Sequence, residues 1–431
     1  MNFVNHKEWA CHIPKLVPME QTFDESLIAD SRKEASSTVS DLFEGMSRIR
    51  KGGTVGVAVG SRGIGAIPKI VAGVVEAVKK IGCFPFIFPA MGSHGGENPL
   101  GKIQILERLG ITETSVGAPI SQTMGIALVG QAGPDLPIYC HAEALSADAI
   151  ILLNRVKPHT DFRGTIESGL IKMAVVGLGG ELGAQWVHSQ GYEHLGARIR
   201  VAGEAAIKML PIHFGVAIVE GHSRLPFRIE AIPRDKISSR EEALLREARR
   251  LVPKLPLKHL DVLVVGEMGK NISGTGLDPT VTGRYPSGKL FAGDDVPDIY
   301  RIAVLDLTDA SSGNSVGVGL CDVTTRKLMN KTDFAATYKN VITGRGSASA
   351  RVPMVMESDR EAISVALLTC TQKPEDAEIV LIRNTQCLDR FLASESAVPQ
   401  CESMGARVVG KPVELSFDSN GSLMLRGWMQ S

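Results

Sequence analysis

The chain has 431 residues, enough for two or three domains of about 150 residues each, and at 44% hydrophobic and 22% charged residues it can fill sizeable cores. Lys+Arg and Asp+Glu both number 47. That balance speaks against a nucleic-acid or membrane-surface partner held by bulk charge, and no apolar run of about 18 residues predicts a membrane span.

The opening "MNFVNHKEWACHIP" has neither an apolar targeting core nor an Arg-rich amphipathic pattern. Seven cysteines (Cys11, Cys83, Cys140, Cys321, Cys370, Cys387 and Cys401) form no CxxC pair and read as reduced thiols. A cytoplasmic location is therefore expected.

In chain order, "DESLIADSRKEASSTVSDLFEGMSRIRKG" predicts a helix, "TVGVAVGS" a buried strand and "AIPKIVAGVVEAVKKIG" an apolar helix closed by Gly82. "CFPFIFPAMGSHGG" predicts a strand and its loop, followed by a helix over "NPLGKIQILERLG". Strand–loop–helix units in tandem imply parallel strands with crossover helices. "SADAIILLNRV" and "HFGVAIVEG" are further buried strands, and "SSREEALLREARRLVPKLPLKHL" reads as a charged, surface-facing helix with a Pro-punctuated connector.

The pattern then restarts. "LDVLVVGEMG", "DIYRIAVLDLT" and "AEIVLIRN" predict strands, and "TDFAATYKNVITG" and "DREAISVALLTCTQ" predict helices. The expected fold class is α/β: two α/β domains, 1–255 and 256–431, with mainly parallel sheets and the active site in the cleft between them.

In open α/β sheets, ligands sit beyond the carboxyl ends of the strands. Arg62 in "AVGSRGIG", His94 in "PAMGSHGG" and His159 in "NRVKPHTDFRG" occupy that position. Arginine offers a fork of donors for phosphate or carboxylate, and histidine exchanges protons near neutral pH. A single loop histidine reads first as a hydrogen-bonded surface or hinge residue; two on adjacent strand ends bring a catalytic role level with that reading. "SRGIGAIPK" is neither a GxGxxG nor a P-loop pattern and predicts no dinucleotide site. Lys172, in "SGLIKMAVVGLGG", either extends to the surface or is desolvated and nucleophilic. His188 and His194 match no standard zinc spacing.

Taken in order, "GSH" at 92–94, "KPH" at 157–159, Lys172 and His188 sixteen positions beyond it resemble the lactate racemase family that uses a nickel-pincer nucleotide. The similarity runs through most of residues 50–220. The resemblance implies a covalent bond from Lys172 to the cofactor, a pyridinium-derived mononucleotide carrying nickel. It makes His188 the remaining nickel ligand, His94 and His159 the two acid/base residues, and Arg62 a contact to cofactor phosphate or substrate. It implies an isomerase, a racemase or epimerase of a small-molecule 2-hydroxy acid, dependent on separate cofactor-biosynthesis enzymes.

Gly169-Leu170-Ile171 stands before Lys172 where the family carries Gly-Gly-Arg. The family's Tyr-Gln-x-x-Lys element is replaced by "GEMGKNISGTGLDPTVTGR". Lys270 and Arg284 are the cations of that loop and the expected substrate contacts. With Asn271, Ser273, Thr275 and Asp278 beside them, a polar hydroxy acid such as a sugar acid is expected at least as much as lactate. Two other readings stay open: a hydrolase or lyase with zinc or iron held by His94, His159 and His188, and a non-catalytic binder of an anionic metabolite.

Overall fold

The computed structural model describes residues 9–23, 26–45, 49–61, 63–92, 94, 99–123, 125–160, 162–189, 191–287 and 296–424. The chain divides into two compact units, Glu25–Val252 and Met1–Asp24 with Pro253–Ser431. The fold is α/β with mainly parallel sheets. A short strand near the start, β1 (Leu16–Glu20), finds its partners at the far end of the sequence.

The unit Glu25–Val252 is built on β2 (Thr54–Val59), β3 (Phe84–Pro89), β4 (Ile126–Gln131), β5 (Pro137–His141), β6 (Ala149–Arg155), β7 (Ile212–Glu220) and β8 (Pro226–Pro233). Its main sheet has the order β3-β2-β6-β7-β8, and β4 and β5 form a separate hairpin. All neighbours in the main sheet are parallel except β7 and β8. Successive residues of one strand serve opposite cores: Val55, Val57 and Val59 enter one, and Ala58 the other. Ile151 and Leu153, against Ile150 and Leu152, do the same. A sheet covered on both faces needs such continuous apolar strands.

The sequence "FPFIFP" forms β3 at the sheet edge. Pro85 and Pro89 lack the N–H that a neighbour on both sides would require. Ile87, between them, donates its N–H to the Pro119 carbonyl at 2.8 Å.

Helices Ser31–Gly45 and Ile67–Lys80 fill the core that takes Val55 and Val57. The first is shorter than the sequence pattern suggested. The Asp30 carboxylate accepts the N–H groups of Arg32 and Lys33, both at 3.1 Å, and so fixes its start. The opposite core takes residues from helices Gly180–His188, Tyr192–Met209 and Ile237–Leu251. The last was expected to face solvent, yet Ile237, Glu241, Leu244, Leu245 and Ala248 are buried. Those positions form one stripe at helical spacing, with Glu241 inside it.

The other unit carries β9 (His259–Val265), β10 (Asp298–Val304), β11 (Val323–Thr325), β12 (Met354–Met356), β13 (Ile379–Ile382), β14 (Arg390–Ser394) and β15 (Arg407–Val408). With β1 they form one sheet in the order β12-β11-β10-β9-β13-β14-β1-β15. From β12 through β13 the neighbours are parallel; β14, β1 and β15 continue antiparallel. Leu263 and Val265 enter one core and Val262 and Val264 the other.

The loop after β9 is a packed structure. Ser273 and Thr275 are buried, and Asp278 caps the turn Pro279–Thr282 by accepting the Thr280 N–H at 3.0 Å. Gly276 and Gly317 both take positive φ, and a side chain on either would overlap a backbone carbonyl.

Candidate active site

Three adjacent parallel strands, β3, β2 and β6, send their carboxyl ends toward one place. After β2 the chain passes Gly60 and Ser61; after β3 come Ala90, Met91 and Gly92, with His94 close by; after β6 the chain leads on to helix Leu170–Lys172. The turns pack against the segment that follows Lys172. A Cβ on Gly60 would lie 3.4 Å from Met173 Cε, one on Gly92 (φ +59°) 3.3 Å from the Val176 carbonyl, and one on Gly177 3.0 Å from the Ala90 carbonyl. Small residues permit this close approach. Helix Leu170–Lys172 runs into a π-helical turn, Met173–Gly177, an irregularity common near functional sites.

The loop between β6 and Lys172 is a closed structure. Lys157 and Ser168 pair in antiparallel fashion, with N···O distances of 2.9 and 3.2 Å. Inside it, the fully buried Glu167 carboxylate accepts the backbone N–H of His159 at 2.6 Å and of Gly164 at 3.0 Å. Arg249, from helix Ile237–Leu251, meets that carboxylate at 2.6 Å and also donates to the Gly164 carbonyl. A buried carboxylate with this set of partners is compensated rather than stranded. Asn154 donates to the Gly169 carbonyl at 2.9 Å and ties the end of β6 to the start of the Lys172 helix.

This frame brings two of the sequence-predicted residues into contact. Lys172 Nζ lies 2.5 Å from His159 Nε2. The His159 ring is buried and lies 4.4 Å from the Phe162 ring at an interplanar angle of 30°. Two nitrogens this close share one proton between them. Either an ammonium donates to a neutral imidazole, or a neutral amine accepts from the ring. The amine has a proton acceptor at hand, which a nucleophilic lysine needs.

His94 is exposed, with Nδ1 2.6 Å from Ser61 Oγ, and its N–H meets the Met91 carbonyl at 3.2 Å. The β2 turn thus orients the imidazole carried by the β3 turn. His188 is half-buried in the last turn of helix Gly180–His188. Arg198 anchors that end: it donates to the Trp186 carbonyl at 2.8 Å and pairs with Asp135 at 3.0 Å.

Arg62 lies outside the described residues. Lys270 and Arg284 belong to the other unit. Lys270 Nζ donates to the Gly274 carbonyl at 2.5 Å and to Asn340 at 2.7 Å. Arg284 pairs with Asp322 at 2.7 Å and donates to the carbonyls of Leu320 and Tyr300. Among the described residues, no group of three or more His, Cys, Asp or Glu side chains could hold a metal ion, so a centre built from His94, His159 and His188 has no support. No helix among them is long and apolar enough to cross a membrane.

The sequence reading missed Glu167, Arg249 and Glu241. Glu241 had a signal: it occupies a slot of the Ile237-Leu244-Leu245-Ala248 stripe where an apolar side chain belongs. Glu167 and Arg249 are far apart in sequence and had none.

No protein-family model matches the chain, and no curated protein matches it by sequence. A solved structure does match in three dimensions: the lactate racemase apoprotein from Thermoanaerobacterium thermosaccharolyticum, with a TM-score of 0.51 and 12% identity. The match covers 86% of this chain and 99% of that one. The likeness is one of fold, and in fold this chain is similar to a lactate racemase over nearly all of that protein's length.

Proposed function

We propose that the protein is a racemase or epimerase that inverts the hydroxyl-bearing carbon of a 2-hydroxy acid, using a nickel-pincer nucleotide bound covalently through Lys172. The observation that carries this reading is the 2.5 Å contact between Lys172 Nζ and His159 Nε2, beyond the carboxyl end of β6 in a fold similar to that of a lactate racemase apoprotein.

The residues present fit such a cofactor. Lys172 is half-buried and has an imidazole beside it to take the proton that a nucleophilic amine must lose. His188 offers one imidazole, which suits a metal whose other donors arrive with the nucleotide. Lys172 would be the tether, His188 the nickel ligand and Arg62 a phosphate or substrate contact. When bound, the group supplies a reversible hydride acceptor, a chemistry that side chains lack.

The protein's own part is proton handling. The hydroxyl proton must leave as the hydride leaves and return with it. The two enantiomers present that hydroxyl on different sides, so two bases are needed, and His94 and His159 are assigned to them. Ser61 orients the first through Nδ1, and Glu167 holds the backbone of the second. With Lys172 taken up by the tether, His159 Nε2 is the basic atom left at that place. The substrate is a hydroxy acid of lactate or more polar type, a sugar acid included. The cytoplasm is the proposed compartment, and cofactor-making enzymes are required partners.

The test is a panel of 2-hydroxy acids carrying deuterium at C2, incubated in ordinary water with protein produced alongside those enzymes. The expected result is interconversion with the deuterium kept in both products. Loss of the label to solvent would contradict hydride transfer, and a panel with no turnover would contradict the function.

A further inference from the structure

Helix Ile237–Leu251 touches the candidate site from behind at two points, Arg249 at Glu167 and Glu241 at the turn that carries Lys172. Glu241 is fully buried and, among the described residues, makes no ion pair and has one oxygen, Oε1, without a hydrogen bond. Its other oxygen accepts the backbone N–H of Ile171 at 3.0 Å, the residue before Lys172. Residue 169 is glycine, and a methyl group there would overlap this carboxylate. An apolar side chain of similar size would fill the slot at lower cost than an incompletely partnered acid. What the acid offers that an apolar side chain does not is an acceptor for the backbone N–H next to Lys172.

We infer that Glu241 is a positioning residue for Lys172: its carboxylate fixes the turn Gly169–Lys172 so that the amine points at His159. This rests on the assignment of Lys172 as the reactive lysine. The geometry supports the inference from both sides. Gly169 is open on the side where the carboxylate enters, and its carbonyl is held by Asn154 and accepts the Met173 N–H at 3.0 Å. The N-terminal N–H groups of a three-residue helix have no partner within it, so the acid supplies the acceptor that sets its register. Burial raises the Glu241 pKa to about 7 even though the Ile171 and Leu170 N–H groups oppose the rise, so the site keeps a costly group in place.

The test reads lysine reactivity in protein made without cofactor, so it does not depend on turnover. The parent, Glu241→Gln, Glu241→Leu and Glu241→Asp are treated with trinitrobenzenesulfonate. Labelling of the Lys172 peptide is followed by mass spectrometry against exposed Lys373. Gln keeps an acceptor oxygen at full length and is expected to label within about twofold of the parent. Leu and Asp, without an acceptor at that reach, are expected to lose at least about fivefold in folded protein. A purely structural role would lower their melting temperatures and leave the labelling of folded protein unchanged. Parent-like labelling of Glu241→Leu would overturn the inference; if that variant does not fold, the same result with Glu241→Asp would do so. Failure here would leave the cofactor assignment standing, and absence of a Lys172 adduct in active, cofactor-loaded protein would remove it separately.

Discussion

Glu241 and Glu167 are both buried carboxylates, yet their surroundings differ in kind. Glu167 has Arg249 at 2.6 Å and two backbone donors. Among the described residues Glu241 has backbone donors alone, and burial pushes its pKa up from the ordinary 4.5 to about 7. The sign of the consequence follows from proton counts. Between those values the unfolded chain has released the proton while the folded protein still holds it, so folding loses stability as pH rises. Below 4.5 both states are protonated; above 7 both are ionised and the cost is fully present. Glu241→Gln removes this step. Its stability relative to the parent is expected to rise by roughly 3 kcal/mol from about pH 4 to about pH 8, measured by urea melts. Parallel pH curves for the two proteins would refute the assignment of the buried charge.

At the scale of elements, the Lys172 segment is gripped on several sides. Helix Tyr192–Met209 presses on it at Gly203, where a methyl group would meet the Ile171 side chain and carbonyl. Two effects compete at that position. Alanine in a helix interior is better than glycine by about 1 kcal/mol, while overpacking costs about 1–3 kcal/mol. Because one colliding atom is backbone oxygen, the clash should win. Gly203→Ala is expected to destabilise by about 2 kcal/mol in denaturant melts, and a stabilised variant would show that the segment yields.

These elements also show what the sequence revealed. The strands β2, β6, β7, β9, β10 and β13 were legible because each holds a run of three or more apolar residues, as strands buried on both faces require. His94 and His159 stood out in the sequence because they follow predicted strand ends, and Lys172 because apolar residues flank it on both sides. The start of the first helix was misread because the Asp30 cap counts for more than the apolar pattern before it. Helix Ile237–Leu251 was read as surface because its charged residues outnumber its buried ones; the buried acid and the long-range Arg249–Glu167 pair depend on tertiary contacts that periodicity does not encode. The loop with Lys270 and Arg284 looked like a polar ligand surface, but several of its hydroxyls and both cations are bonded within their own unit.

For the whole molecule, β1 shows that the two units are not two consecutive stretches of chain. Leu16–Glu20 pairs with Arg390–Ser394, and Met19 and Glu20 also pair with Arg407–Val408, so the sheet of one unit closes with residues from near both ends of the sequence. The residues assigned to chemistry that lie within the described chain (His94, His159, Lys172 and His188) all belong to the other unit, whose fold is contiguous from Glu25 to Val252. We propose that this unit binds a nickel-pincer nucleotide through Lys172. The most direct measurement is the mass of the Lys172-containing peptide, with elemental analysis, from protein produced alongside the cofactor-making enzymes. The expected result is a nucleotide-sized adduct on Lys172 and nickel at about one ion per chain, rising together with racemase activity. Catalytically active protein with an unmodified Lys172 would contradict it.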